Sequence, residues 1–164
     1  MDLDEQFTPT KVFAPLNAEF QFTLDPCATA ESAKCAKFYT KVQNGLKQSW
    51  ANERVFLNMP YSNIEPWLEK TRQELKAGCP LVVALLPAWT DRKWWHKYIE
   101  KSWCKKRFRK GRIVFGMPGN PEGKKRGTGK FPSVVIIWQR PGYHIPDPRQ
   151  LSIIDHIAER ERAA

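Results

Sequence analysis

The sequence of 164 residues lacks the features of a membrane protein, a secreted protein or a metal-binding protein. No apolar run reaches the roughly 18 to 20 residues that a membrane-spanning helix needs, and the acidic N-terminus carries no apolar signal region. The four cysteines lack the paired spacing of zinc sites, and the three histidines are scattered. We therefore expect no membrane partner, no metal, reduced thiols and a cytoplasmic location. The oligomeric state is not indicated by the sequence.

Acidic side chains are nearly missing from one part of the chain. Residues 92–130 contain 14 Lys and Arg but only Glu100 and Glu122 as acids, so this segment carries +12 while the whole chain carries +10. A concentrated positive field attracts a polyanion and steers its approach. We therefore expect nucleic-acid contact; the alternative is a solvated basic face without a specific partner. The candidate contact residues are Lys105, Lys106, Arg107, Arg109, Lys110 and Arg112, followed by Lys124, Lys125 and Arg126.

Apolar patterns alternate between strand and helix along most of the chain. Strands are predicted at residues 20–24, 38–40, 54–57, 81–86, 113–115 and 134–138, and helices at residues 10–16, 31–36, 63–77 and 91–101. This alternation predicts an α/β fold with a mainly parallel central sheet flanked by helices. We expect a single domain over residues 1–145, with basic insertions at about 101–130, and a C-terminal helix or tail at residues 146–164.

Two predicted strand ends carry polar groups. Asp25 ends one predicted strand, and Asn58 directly follows another. Because parallel strands bring their carboxyl ends to one edge of a sheet, where ligands bind, we expect these residues to border a single site. Trp89 follows the next strand end and is a candidate border of the same site. The aromatic side chains of Trp94, Trp95 and Tyr98 are interpreted as core packing, with a stacking platform as the alternative.

The four residues Asn58, Met59, Pro60 and Tyr61 suit the methylation of an exocyclic amine on a base. Such an amine is a poor nucleophile, because its lone pair is delocalised into the ring, and two hydrogen-bond acceptors can draw it toward a tetrahedral form. The amide oxygen of Asn58 and the carbonyl of Met59 are two such acceptors. Pro60 stiffens the loop, and Tyr61 offers a face on which a flipped base can stack. As a bare tetrapeptide, Asn-x-Pro-Tyr is also an ordinary turn.

Seven landmarks occur in a fixed order over roughly residues 6–140. They are residues 7–9 (Phe-Thr-Pro), 22–29 (Phe-Thr-Leu-Asp-Pro-Cys-Ala-Thr), 44–46 (Asn-Gly-Leu) with Trp50, 55–62 (Val-Phe-Leu-Asn-Met-Pro-Tyr-Ser), 85–88 (Leu-Leu-Pro-Ala) with Thr90 and Asp91, 111–115 (Gly-Arg-Ile-Val-Phe) and 131–133 (Phe-Pro-Ser). In this set and order the sequence resembles the phage-type DNA N6-adenine methyltransferases, a Dam-like group.

The resemblance implies a compact, truncated Rossmann-like fold of the S-adenosyl-L-methionine-dependent methyltransferases. It implies methyl transfer from that cofactor to the N6 amino group of adenine in double-stranded DNA, by a phage- or prophage-encoded protein in a bacterial host cell. It implies catalytic roles for Asn58, Met59, Pro60 and Tyr61. It also implies that the cofactor is held by Thr8, Pro9, Asp25, Pro26, Cys27 and Ala28.

The sequence departs from the family pattern in three places. Met59 stands where the family usually has Pro, but only its carbonyl is needed. The Gly-rich turn of larger methyltransferases is absent after Asp25, and residues 37–52 contain no acid to meet the cofactor's ribose or adenine; Asn44, Gln48 and Ser49 are the polar candidates there. Three alternatives stay open: a nucleic-acid-binding protein with an inactive methyltransferase fold, an RNA adenine N6-methyltransferase, and a glutamine N5-methyltransferase, against which the basic segment argues.

Overall fold

The computed structural model describes residues 4–123 and 129–147. Its helices are α1 (Thr10–Phe20), α2 (Glu65–Ala77), a π-helix (Trp95–Glu100) and a 3-10 turn (Gly45–Lys47), and its strands are β1 (Leu24–Asp25), β2 (Lys37–Phe38), β3 (Arg54–Leu57), β4 (Leu81–Pro87), β5 (Lys105–Arg112) and β6 (Pro132–Gln139). Within these residues no helix is long and apolar enough to cross a membrane, and no three His, Cys, Asp or Glu side chains are grouped as a metal site.

The strands form one sheet in the order β2-β1-β3-β4-β6-β5. The pairs β1–β2, β1–β3 and β3–β4 are parallel, whereas β6 pairs antiparallel with both β4 and β5. Strand β5 therefore runs in the same direction as β4, and only β6 is reversed among the described strands. The predicted α/β class, with a mainly parallel sheet and flanking helices, is confirmed.

The centre of the sheet forms the core. All seven residues of β4 are buried, as are three of the four residues of β3 and six of the eight of β6. A continuous apolar run such as β4 is typical of a strand that is covered on both faces. Core packing was predicted for Trp94, Trp95 and Tyr98: the first two side chains are buried, and Tyr98 is half-buried against the core. The core therefore fixes the direction of β3 and β4, whose ends carry the candidate site.

Two predictions near the N-terminus were wrong. The strand predicted at 20–24 shrinks to Leu24–Asp25, because α1 continues to Phe20. Val12, Leu16 and Phe20 are spaced four residues apart and bury one stripe of that helix, and Gln21 then ends it in the left-handed region at φ 50°. The helix predicted at 31–36 does not form, and residues 30–36 make turns and bends instead.

The later elements also differ from the prediction. No strand forms at the predicted residues 113–115. The strand in this part of the chain lies upstream, over the basic run Lys105–Arg112, where the backbone pairs with β6. An edge strand needs no apolar pattern, because only one of its sides is paired and its side chains can remain in water. The helix predicted at 91–101 is shorter, and its main part is the π-helix. Lys124, Lys125 and Arg126 and the predicted C-terminal helix beyond Asp147 lie outside the described residues.

Candidate functional site

The candidate site lies where β1, β3 and β4 end. Because these strands are parallel, Asp25 at the end of β1 and Asn58 just after β3 reach the same edge of the sheet. The loops that follow are also close to each other. The negative charges of Asp25 and Asp4 both raise the pKa of the Cys27 thiol, so both carboxyl groups lie near it. Asp4 also accepts hydrogen bonds from the backbone N–H and the hydroxyl of Ser62, at 3.0 and 2.6 Å. The predicted meeting of the two loops is therefore found in the structure.

An N-terminal strap, residues 4–10, joins the loop at residues 58–62, which holds the catalytic candidates, to the connection between β5 and β6. On one side it contacts Asn58 and Ser62. On the other, Phe7 exchanges two backbone hydrogen bonds with Gly116, at 3.0 and 2.8 Å. The backbone N–H and hydroxyl of Thr10, at the start of α1, donate to the carboxylate of Glu122. The strap thus ties together parts of the chain more than 50 residues apart.

The side-chain amide of Asn58 is held in one orientation by the strap. Its Nδ2 donates to the carbonyl oxygen of Gln6 at 3.0 Å and to Oγ1 of the buried Thr8 at 3.1 Å. Since both amide hydrogens are engaged, Oδ1 points to the opposite side, where the hydroxyl of Tyr61 lies at 3.0 Å. The carbonyl of Met59 accepts no hydrogen bond within residues 4–123 and 129–147. The loop therefore offers two acceptor oxygens on consecutive residues, Asn58 Oδ1 and the Met59 carbonyl.

Tyr61 is more enclosed than its loop position indicates. Its side chain is 4% exposed, and its hydroxyl lies 3.0 Å from both Asn58 Oδ1 and the carbonyl oxygen of Leu85. A single proton serves only one of these acceptors at a time. Burial raises the pKa of the phenol well above its ordinary value, so it stays neutral. The ring packs edge-on with Phe131, Phe115 and Trp89, at centroid distances of 5.6, 6.1 and 6.5 Å.

Asp25 shapes the loop that follows β1. Its buried carboxylate accepts hydrogen bonds from the backbone N–H groups of Lys34 at 3.1 Å and, more weakly, of Cys27 at 3.4 Å. Burial raises the pKa of Asp25 to about 6, while the two backbone hydrogen bonds lower it. At neutral pH the group is therefore largely ionised. Burial likewise raises the pKa of the Cys27 thiol to about 12, with Asp25 and Asp4 adding to the effect, so the thiol stays neutral.

The turn formed by Pro26 is held from behind. A Cβ atom at Gly45 would lie 1.9 Å from the carbonyl oxygen of Pro26, so only glycine fits there. Trp50 fixes Gly45 by donating its indole N–H to the Gly45 carbonyl at 3.0 Å. On the other side, the backbone N–H of Ala28 donates to the carbonyl of Tyr39 at 3.0 Å. The predicted cofactor-binding residues of this loop therefore belong to a rigid turn.

Gln6 is a site residue that the sequence analysis missed. Its carbonyl anchors Asn58, and its side-chain Oε1 is buried with no hydrogen-bond partner in the described part of the chain. A buried polar atom without a partner is uncommon in a native protein and suggests a role for a ligand or water. Gln6 directly precedes the landmark at residues 7–9, but its role rests on its backbone carbonyl and on a contact across 52 residues, which its residue type does not indicate. Asp4 and Glu122 were missed for the same reason.

The basic residues of β5 lie apart from this polar cluster. All eight side chains of the strand are exposed. Arg107 makes two hydrogen bonds to the carboxylate of Glu19, at 2.6 and 2.7 Å, and Arg112 contacts the carbonyl oxygens of residues 129 and 130 at 3.4 Å. In residues 4–123 and 129–147, no hydrogen bond or ion pair joins β5 to Asn58 or Tyr61. Among the described residues, the catalytic candidates and the predicted DNA contacts of β5 therefore share no hydrogen bond or ion pair.

A mainly parallel sheet with an Asn-x-Pro-Tyr loop at its carboxyl edge matches the class of α/β methyltransferases. Comparison with known families narrows this class. The family described as DNA N-6-adenine-methyltransferase (Dam) matches residues 2–161, and the chain belongs to this family. The resemblance seen in the sequence is thereby confirmed.

Two curated relatives carry the name DNA N-6-adenine-methyltransferase. The protein of Escherichia phage T1 is 34% identical over 89 residues, which are 53% of this chain and 37% of the relative. The protein of Haemophilus phage HP1 (strain HP1c1) is 26% identical over 140 residues, which are 84% of this chain and 80% of the relative. The match therefore spans little more than a third of the length of the T1 protein but most of the HP1 protein.

Proposed function

We propose that this chain transfers a methyl group from S-adenosyl-L-methionine to the N6 amino group of adenine in double-stranded DNA. One observation carries the proposal beyond family membership: the anchored amide of Asn58. Gln6 and Thr8 occupy its two N–H groups, so that Oδ1 is the atom of the amide that can accept a hydrogen bond from the target amine. The carbonyl of the next residue, Met59, is the second acceptor of the proposal. The two relatives named above are phage proteins with this activity in their names, and we place the reaction in the cytoplasm of a bacterial host.

The two oxygens act on the amino group of the target base. An exocyclic amine donates two N–H bonds, and accepting both of them localises the nitrogen lone pair for attack. The Tyr61 hydroxyl, now near Asn58 Oδ1, can turn its proton to the Leu85 carbonyl at the same distance and leave Oδ1 for the base. S-adenosyl-L-methionine supplies an electrophilic methyl group on a sulfonium when it is bound. The protein's task is therefore to position the amine and exclude water.

The residues at the edge of β1 fit a cationic cofactor. In a chain of net charge +10, the carboxylates of Asp4 and Asp25 both lie near Cys27, where they can meet the ammonium and sulfonium charges of S-adenosyl-L-methionine. The buried, unpartnered Oε1 of Gln6 adds a further acceptor. The residues that would hold the cofactor are those named from the resemblance: Thr8, Pro9, Asp25, Pro26, Cys27 and Ala28.

Stacking on Tyr61 requires a rearrangement of its aromatic neighbours. A flipped adenine that stacks on an aromatic ring gains about 1 to 3 kcal/mol, whereas an edge-to-face aromatic pair is worth about 0.5 to 1.5 kcal/mol beyond its burial. The energy of stacking the base is therefore comparable to or larger than that of the edge-to-face pair that it replaces. Trp89 is half-buried, unlike Phe115 and Phe131, and is the neighbour that moves with the least loss of buried surface.

The test is to supply methyl-labelled S-adenosyl-L-methionine together with unmethylated duplex DNA, a matched RNA and a mixture of proteins, each in a separate reaction. The proposal predicts label on duplex DNA alone. Label on RNA would favour the RNA methyltransferase alternative, and label on protein would favour glutamine methylation. Cofactor binding without transfer to any substrate would favour the inactive nucleic-acid-binding protein.

A further inference from the structure

The basic strand changes its geometry where it reaches the catalytic edge of the sheet. From Lys105 to Phe108 its residues pair one for one with Ile137 to Val134. Arg112 then pairs with Pro132, so that residues 109–111 face Ser133 alone. Two extra residues on one strand form a bulge, and Gly111 within it has a φ of +78°. Bulges bend a strand and redirect its side chains, and they are frequent beside active sites.

The bulge lies at the end of the sheet that holds the candidate site. Ser133, which faces it, pairs with Pro87, the last residue of β4. The preceding Phe131 contacts the ring of Tyr61 at 5.6 Å. Strand β5 is three strands from β3 in the sheet, which is a lateral separation of roughly 15 Å at ~4.8 Å per strand. Along a duplex with ~3.4 Å per base pair, that separation is about four base pairs.

The charges of the strand are also divided unequally between its two ends. Arg107 is paired with Glu19, which also attracts Lys105, and Lys106 lies near Glu100. The amino-terminal part of β5 therefore has nearby acids of its own chain. Arg109 and Lys110, by contrast, are exposed and form no salt bridge with any residue in the ranges 4–123 and 129–147. Along β5, the carboxylates of the described residues therefore lie near the amino-terminal part of the strand, and the bulge carries two exposed charges without a salt bridge.

We propose that Arg109 and Lys110, presented by the bulge at residues 109–111, bind the phosphates of duplex DNA a few base pairs from the target adenine. This inference rests on the proposed function, and it deepens it by assigning the DNA contact to one part of a uniformly basic strand. Phosphate contacts position a protein on the duplex without reading its sequence. The bulge therefore sets how the DNA lies on the catalytic edge, and other groups select the base.

Two double variants with the same loss of charge test the assignment. R109Q with K110Q removes the two open charges, and K105Q with K106Q removes two charges from the amino-terminal part of the same strand. Log K falls with log salt, and loss of two phosphate contacts makes this negative slope shallower by about 1.8. It also weakens binding roughly 30-fold at ~0.15 M salt. We expect this effect for the bulge variant, and at most a few-fold weakening with a nearly unchanged slope for the other.

Equal losses in the two variants, or a larger loss for K105Q with K106Q, would overturn the assignment. A G111A variant adds a conformational test, because alanine disfavours φ of +78° while the space around this position is open. It should weaken DNA binding with all charges kept; unchanged binding would contradict the role of the bulge geometry. The N58A variant tests the proposed function separately. If the chemistry is as proposed, N58A loses methyl transfer but keeps the wild-type salt dependence of DNA binding.

Discussion

The loop after β3 and the strand β5 are the two regions of this molecule that carry its expected chemistry, and they are built in opposite ways. In the loop after β3, the side-chain amide of Asn58 and the hydroxyl of Tyr61 are held by named partners, and the rings of Tyr61, Phe115 and Phe131 are buried. Along β5, every side chain is exposed, and several charges have no partner in the described residues. Methyl transfer depends on atoms held within tenths of an ångström, whereas attraction of a polyanion depends on charge and can use mobile side chains.

The largest loss of activity is expected in the loop after β3, which we call the fixed region. Replacing Asn58 by alanine removes one of the two acceptors for the target amine, and loss of one such preorganised group lowers turnover by roughly 10²- to 10³-fold. The melting temperature and the affinity for S-adenosyl-L-methionine should stay close to those of the wild type, because Asn58 is half-buried at the edge of the sheet. Single-turnover methyl transfer measures the effect. Activity within a few-fold of wild type would remove Asn58 from the mechanism.

The buried carboxylate of Asp25 should make stability depend on pH. Its pKa is raised from 3.8 to about 6 in the folded protein, so the folded state binds the proton more tightly than the unfolded state. The stabilisation is complete below about pH 4 and is lost as pH rises through about 6, to an extent of up to about 3 kcal/mol. Denaturant unfolding of wild type and D25N between these values measures it. Parallel pH profiles for the two proteins would contradict the prediction.

Tyr61 sharpens the contrast, since it belongs to the fixed region but has to release its neighbours. Replacing it by alanine should lower turnover and target-base binding by roughly 10- to 100-fold, in line with a stacking contribution of about 1 to 3 kcal/mol. The affinity for S-adenosyl-L-methionine should fall much less. Because the ring is buried, Y61F serves as the variant that keeps the packing and loses only the hydroxyl. Equal losses in base binding and cofactor binding would count against stacking.

Thr8 carries the smallest expected effect at the fixed region. Valine keeps its shape and removes the hydroxyl that accepts from Asn58, while the bond to the Gln6 carbonyl remains. A single hydrogen bond of this kind is worth about 1 kcal/mol, so kcat should fall by roughly fivefold and T8S should restore it. A change in the KM for the cofactor with kcat unchanged would assign Thr8 to cofactor binding alone.

The sequence predicted the buried strands far better than the exposed one. The predicted bounds 54–57 match β3, and the predicted strand 81–86 ends one residue before β4 does, because apolar runs indicate burial directly. Strand β5 was missed, because its eight residues are dominated by charge and only its pairing with β6 makes it a strand. The loop Asn58 to Tyr61 could be found from its residue types. Its anchoring by Gln6 and Thr8 could not, since these contacts join residues 50 or more positions apart.

The central claim is that the amine presented to Asn58 and Met59 belongs to adenine. Cytosine also carries an exocyclic amine that the two acceptors could hold, so the identity of the methylated base is the decisive measurement. Duplex DNA incubated with the protein and labelled S-adenosyl-L-methionine should be digested to nucleosides and separated. The account predicts that the label appears in N6-methyladenine. Label in a methylated cytosine, or in no nucleoside while the cofactor is bound, would contradict it.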